Sequence, residues 1–276
     1  MHRDARAPPY AVPVLILLPP SEGKAVPRRG KRLDLSDLDF PELTQARETV
    51  LDALVELCSG STRDDVEEAA RTLGLGTTQL DQVRRNADLP VAPTARADRI
   101  YTGVLYDALD LGSLDATARR RATRWVVIMS SLFGIVRPND PIASYRLSGD
   151  TNLPGLGTVA TFWRAHLDPV LTAAAGAGLV VDLRSSTYAG FWRPTPPLAP
   201  QVATVRVLHE VDGRRKVVSH FNKATKGRIV RALLTDGGTP RTPADLADHL
   251  GTLGWTVEPR PAARTGQQLD VVVEEI

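Results

Sequence analysis

Three largely apolar runs constrain the fold of this 276-residue chain more than any other feature: Val14 to Leu18, Val126 to Met129 and Leu179 to Leu183, the last interrupted only by Asp182. A strand with one wet face alternates apolar and polar residues. A run that is apolar at every position suits a strand covered on both faces, as in the parallel sheets of α/β proteins. Each run stops in polar loop chemistry. The first ends at Pro19-Pro20 and continues Ser21-Glu22-Gly23-Lys24, the second enters Ser130-Ser131, and the third enters Arg184-Ser185-Ser186-Thr187-Tyr188.

Between these runs the spacing turns helical. Helices are expected from Pro41 to Cys58, with the proline suited to a first turn, from Arg63 to Leu73 with Asp64 and Asp65 near the positive end of the dipole, and from Thr77 to Asn86. Further helices are expected over Val104 to Leu109, Ala116 to Arg121, Thr161 to Ala175, Lys223 to Leu234 and Pro243 to Leu250. Val202 to Glu210 and Arg215 to Phe221 read as a hairpin about Asp212-Gly213, and Trp255 to Glu258 and Leu269 to Glu274 as closing strands. No repeat, linker or low-complexity tract divides the chain. The expectation is a mixed α/β fold: one compact domain over residues 11–276, with a central mixed sheet flanked by helices. Residues 1–10 carry Arg3, Arg6 and two prolines and read as a disordered extension.

Bulk properties exclude several classes. Apolar residues make up 42% and charged residues 24% of the chain, a globular balance. Its 34 basic and 32 acidic residues give a formal charge of +2, so any anion binding must come from local clustering. The single cysteine, Cys58, precludes an intrachain disulfide and fits a reducing, cytoplasmic setting. It stands among Val50, Leu51, Leu54, Val55 and Leu57, as a core thiol does. The five histidines, His2, His166, His209, His220 and His249, show no metal-ligand spacing. Neither a metal nor a cofactor is expected. Val12 to Leu18 is too short to span a bilayer, so a cytoplasmic monomer without membrane contact is expected.

In open α/β sheets ligands gather beyond the carboxyl ends of the strands. If the three apolar strands are parallel neighbours, their loops pool Ser21, Lys24, Ser130, Ser131, Arg184, Ser185 and Ser186. That set suits a phosphate, with a planar fork from arginine, a point charge from lysine, and hydroxyls. Taken singly, each of these residues is better explained as a cap or a solvated charge; it is the combination across three loops that points to a ligand. Lys223, Lys226 and Arg228 stand at the start of an expected helix, where amides would add to the side chains; a solvated basic face is the alternative. Tyr145 beside Arg146, and Tyr188, are candidates to stack on a base or donate to a phosphate, or else core-edge tyrosines. Leu73-Gly74-Leu75-Gly76 resembles the hairpin of a helix-hairpin-helix module, with an ordinary glycine C-cap as the alternative. Glu22 and Asp182 read as structural carboxylates. No GxSxG, HExxH or P-loop pattern is present, and no catalytic residue is singled out.

Six blocks in order resemble the peroxide-stress YaaA-type family: Pro19-Pro20-Ser21-Glu22-Gly23-Lys24, Arg99-Ile100-Tyr101-Thr102-Gly103, Ser131 to Pro138, Tyr145-Arg146-Leu147, Asp182 to Tyr188, and Phe221 to Arg228. The resemblance spans about residues 12 to 275. It implies a mixed α/β fold with a basic cleft and a helix-hairpin-helix element, binding of double-stranded DNA without sequence preference, and protection from peroxide. It carries over Lys24, Arg137, Arg146, Arg184, Lys223, Lys226 and Arg228 as cleft residues. The competing expectation is an enzyme acting on a nucleotide, a nucleobase or its glycosidic bond, or another phosphorylated small molecule in the same cleft. The near-neutral charge leans that way, because non-specific DNA affinity grows with the number of phosphates neutralised.

Overall fold

The computed structural model describes residues 12–211, 214–216 and 218–274. In chain order the strands are β1 (Val14–Leu18), β2 (Thr94–Arg96), β3 (Val126–Ser130), β4 (Gly134–Val136), β5 (Pro141–Ala143), β6 (Asn152–Leu153), β7 (Gly157–Thr158), β8 (Leu179–Asp182), β9 (Val202–Val211), β10 (Arg214–Lys216), β11 (Thr256–Pro259) and β12 (Gln267–Val273). The helices are α1 (Thr44–Cys58), α2 (Arg63–Thr72), α3 (Asp81–Ala87), α4 (Ala97–Ile100), α5 (Val104–Leu109), α6 (Ala116–Trp125), α7 (Val159–Ala175), α8 (Ser186–Ala189), α9 (Ser219–Asp236) and α10 (Pro243–Thr252).

The three apolar runs are adjacent and parallel. β1 lies between β3 and β8, with Ile16 opposite Val126 on one side and Leu17 opposite Asp182 on the other. The main sheet runs β11-β12-β9-β8-β1-β3-β4, and β10 pairs with β9. From β12 through β9, β8 and β1 to β3 the pairing is parallel, and antiparallel strands β11 and β4 close the edges. Every residue of β1, β3 and β8 is buried, so side chains pointing to either side of the sheet meet cover. Helices α6 and α7 both pack on β1. This is a single mixed α/β unit, as the patterning implied. None of its helices is long and apolar enough to cross a membrane among the described residues.

The chain passes from β1 to β3, returns across β1 to β8, and then moves outward through β9 to β12. Beyond the carboxyl end of β1 the crossovers therefore part in opposite directions and leave a crevice that no helix fills.

Local chemistry explains the boundaries. Thr62 and Asp65 form a reciprocal capping box on α2, as do Thr242 and Asp245 on α10, where Pro243 takes the first helical position. Arg47 of α1 is wholly buried and donates to the carbonyls of Phe133, Ile135 and Asp39 at 3.1, 3.0 and 2.8 Å, fixing α1 to the β3–β4 turn. Burial lowers its pKa to about 10, against the pull of Asp140 and other carboxylates.

Two expectations fail at element ends. The stretch expected to finish the hairpin at Phe221 is helical from Ser219, and strand β10 is confined to Arg214–Lys216. Packing decides this, because α9 lies along α5 and places Gly227 against it. The turn expected at Asp212-Gly213 and the extension expected over residues 1–10 lie outside the described residues. The α9–α5 contact is close enough to test. A Cβ at Gly227 would fall 2.3 Å from the Leu105 carbonyl oxygen and 3.0 Å from the Ala108 Cβ. Gly227→Ala should therefore destabilise the fold, since overpacking of about 1–3 kcal/mol outweighs the helix-propensity gain of alanine; a lower urea midpoint is the expected readout.

Candidate functional site

The first loop of the crevice is pinned before any ligand is considered. After Pro19-Pro20 ends β1, the Thr102 amide donates to the Gly23 carbonyl at 3.3 Å and to Ser21 Oγ at 3.1 Å. Ser21 Oγ also donates to the Gly23 carbonyl. The Ala25 amide donates to the Ile100 carbonyl at 2.8 Å, and Tyr106 Oη to the Pro19 carbonyl at 2.7 Å. This leaves Lys24 half-buried with its amine donating to the Ser21 carbonyl at 2.8 Å and standing 4.4 Å from the centroid of the Tyr145 ring. Desolvation first, then the Arg146 cation, lower its pKa to about 7, against the weaker pull of Glu22.

A layer of hydroxyls lies behind the amine. Tyr145 Oη contacts Ser130 Oγ at 2.8 Å and Tyr101 Oη at 3.1 Å, and the Phe133 amide donates to Ser130 Oγ at 3.0 Å. Burial drives the pKa of Tyr101 and Tyr145 well up. Nearby, Tyr188 Oη meets Ser131 Oγ at 3.1 Å, and Trp163 Nε1 donates to the Ser131 carbonyl at 2.8 Å.

Arg146 closes one side of the mouth. Its Nη1 donates to Glu22 Oε2 at 2.7 Å. Its backbone is clamped by Asn86 at the end of α3, which accepts from the Arg146 amide at 2.9 Å and donates to its carbonyl at 2.7 Å. Together these segments enclose a cavity of about 320 Å³, lined by residues 19–24, 102–106 and 146–148 with Ser185, Thr187, Tyr188 and Lys223.

The expected site residues divide into three groups. Ser21, Lys24, Arg146, Ser185, Tyr188 and Lys223 line the cavity, although they come from distant parts of the chain. Tyr145 and Ser131 stand behind it in the hydroxyl layer. The others do not face it. Arg184 turns inward: its Nε and Nη2 form a two-pronged pair with Asp182 at 2.9 and 2.7 Å, and its Nη1 donates to the carbonyls of Tyr188 and Trp192. Its side chain is only 2% exposed, so it braces the loop and is closed to a ligand. Burial pulls the Asp182 carboxyl upward, yet Arg184 holds it below the usual range.

Lys226 also serves the frame, its amine donating to the Leu183 and Arg184 carbonyls at 3.0 and 3.3 Å. Desolvation lowers its pKa to about 8, against the pull of Asp182. Arg137 lies at the opposite end of β3, donating to the carbonyls of Arg124 and Val126 and covering the Phe40 ring at 4.9 Å. Burial lowers its pKa to about 10. Ser186 and Arg228 are exposed and outside the lining. Because α9 begins at Ser219, Lys223 sits in its second turn, past the free amides expected to assist an anion.

The Leu73-Gly74-Leu75-Gly76 hairpin joins α2 to a short 3₁₀ turn and α3. Gly74 takes the left-handed conformation at φ 65°, with its amide on the Arg71 carbonyl and the Leu75 amide on the Ala70 carbonyl. That is the Schellman arrangement. The Gly76 amide donates to Gln79 Oε1 at 3.2 Å. These three amides are thus satisfied within the chain. No group of three or more metal-ligating side chains occurs among the described residues.

Ser130, expected among the hydroxyls beyond β3, joins the hydroxyl layer, whereas sequence reasoning gave no site role to Asn86, Tyr101 or Tyr106. It also missed a signal that was present: only five of the basic residues are lysines (Lys24, Lys31, Lys216, Lys223 and Lys226), and three of these belong to the crevice segments.

Two expectations test this division of roles. Arg184→Ala, which strands the Asp182 carboxylate in the interior, should cost about 3–5 kcal/mol in urea unfolding. Lys24→Met should act in the other direction. With the folded pKa lowered to about 7 from 10.5, the unfolded chain holds the proton more readily between those values. The folding penalty of the amine is therefore complete below about pH 7 and fades as pH rises toward 10.5. The variant should melt above the parent at pH 6.5, with the gap closing by pH 10.

Comparison with known proteins places this geometry in a lineage. The family model described as peroxide stress protein YaaA matches residues 14–260. UPF0246 protein SCO2297 of Streptomyces coelicolor is 52% identical over 265 residues, which cover 95% of this chain and 100% of the relative. UPF0246 protein CE1889 of Corynebacterium efficiens is 41% identical over 89% of this chain and 95% of its own. Uncharacterized protein Cj0984 of Campylobacter jejuni is 27% identical over 78% of this chain and 82% of its own.

Proposed function

The chain belongs to the peroxide stress protein YaaA family, and on that premise we propose that its crevice binds a small phosphorylated, nucleotide-like ligand in the cytoplasm. The observation that carries this reading is the shape and chemistry of the cavity. Its volume of about 320 Å³ lies at the lower end of the range for small-molecule pockets, enough for one compact ligand. Pro19, Pro20, Val104, Leu105 and Leu147 offer apolar surface to a ring, with Tyr106 and Tyr188 beside them. Arg146 and Lys223 supply cationic donors at the rim, and Ser185 and Thr187 supply hydroxyls. An arriving phosphate takes the place that the Glu22 carboxylate occupies on Arg146. Lys24, held near the midpoint of its titration at neutral pH, gives the site acid–base capacity.

Duplex DNA is the second reading, on another surface. Arg28, Arg29, Lys31 and Arg32 are exposed on a loop held against Thr94, whose amide and hydroxyl both donate to the Lys31 carbonyl at 2.9 and 3.1 Å. Gly30 permits that approach, since a Cβ there would meet the Thr94 carbonyl oxygen at 2.1 Å. A strip of four cations suits weak backbone contact, which falls steeply with salt.

Thermal shift separates the two readings. A mononucleotide at about 100 times its Kd should add about 2.7 kcal/mol of apparent stability, and Arg146→Ala should abolish the shift while leaving the unliganded melting temperature close to the parent. Duplex affinity should collapse between 50 and 200 mM salt and respond to charge reversal at Arg28 and Arg29 but not at Arg146. A melting temperature unmoved by any nucleotide or by inorganic phosphate would remove the first reading.

A further inference from the structure

We propose that Lys24 is a nucleophile that condenses with the carbonyl group of a phosphorylated aldehyde or ketone, such as an open-chain sugar phosphate, to form an imine. The inference rests on the phosphorylated-ligand reading and names the reactive part of that ligand.

The first support is the division of labour between the two kinds of cation. Arginines outnumber lysines 29 to 5 in this chain, and arginine fills the buried structural posts at Arg47, Arg137 and Arg184, with Lys226 the lysine that joins them in the frame, on the Leu183 and Arg184 carbonyls. A guanidinium keeps its proton and cannot act as an amine nucleophile; a lysine can lose its proton. At Lys24 the chain therefore holds the cation that can become a neutral amine.

The second support is where that amine stands. Lys24 lines the cavity and donates to one carbonyl, that of Ser21. It faces the Tyr145 ring, while the nearby Glu22 carboxylate is turned to Arg146. Among the described residues no carboxylate is hydrogen-bonded to the amine to hold its proton, and burial, then the Arg146 cation, favours the neutral form. The rim cations Arg146 and Lys223 lie on the same cavity to anchor the phosphate.

The chemistry balances without a further reactant. The lone pair on Nζ attacks the carbonyl carbon, an N–C bond forms, and the C=O π pair moves to oxygen. That oxygen takes a proton given up by the nitrogen, which yields a carbinolamine. The hydroxyl then leaves as water with the second nitrogen proton as the C=N bond forms. Tyr188, whose hydroxyl is paired with Ser131, lines the same cavity and is the group assigned to pass protons between nitrogen and oxygen.

The test uses the full chain with ribose 5-phosphate and, as the analogue that lacks a carbonyl, ribitol 5-phosphate, each with sodium cyanoborohydride to fix any imine. Peptide mass mapping reads the site of the adduct, and melting temperature reads binding. Both compounds should raise the melting temperature, and only ribose 5-phosphate should leave an adduct, at least ten times more on Lys24 than on exposed Lys31 or Lys216. Lys24→Arg should still bind both compounds and carry no adduct above that background. Binding of both compounds with no excess at Lys24 overturns the nucleophile and leaves the ligand reading intact. No melting shift and no adduct with either compound overturns the imine, and the ligand reading falls with it only if nucleotides and inorganic phosphate also leave the melting temperature unmoved.

Discussion

The reversal of chain direction at β1 is the constraint on which the rest depends. A parallel strand flanked on both sides by parallel neighbours, whose connections diverge, ends in a gap that neither crossover covers. β1, β3 and β8, buried along their whole length, hold that edge. Their loops then have only short distances to travel before Ser131 meets Tyr188 and Tyr188 shares a cavity with Ser21.

The edge is built so that charge is sorted by depth. The Asp182–Arg184 pair and the Lys226 amine close the end of β8 from within, each donor placed on a carboxylate or a free strand-end carbonyl. Pairing of this kind fixes geometry more than it adds net stability, because desolvation offsets most of the attraction. Outward of this frame the cations are less satisfied: Arg146 holds an exposed Glu22, and Lys24 holds one carbonyl and a ring face. The Schellman-capped hairpin and α3 also serve the site, since Asn86 fixes the Arg146 backbone from the end of that helix.

Much of this was legible in the sequence, and the failures have physical causes. The apolar runs revealed the sheet centre, and the loops after them revealed the crevice, because strand ends must release polar chain. Arg184 misled because its charge is visible in sequence while its partner is not obvious. Asp182 lies two residues earlier, on the same side of an extended strand, and that spacing was the available clue. Arg137 follows a strand that runs back antiparallel to β3, which carries it to the far end of the sheet. The start of α9 was misjudged because Val218 and Phe221 suit a strand locally, whereas its packing on α5 is a tertiary fact. The scarcity of lysine was hidden by counting lysine and arginine together.

The central claim is that the fold lowers the Lys24 amine, which lines the crevice, to a midpoint near neutral pH. With only five lysines, side-chain carbon NMR can follow each Cε through a pH titration, assigned by single Lys→Arg variants. The account predicts that the Lys24 resonance moves with a midpoint near 7. A Lys24 midpoint at its ordinary value of 10.5 would contradict it.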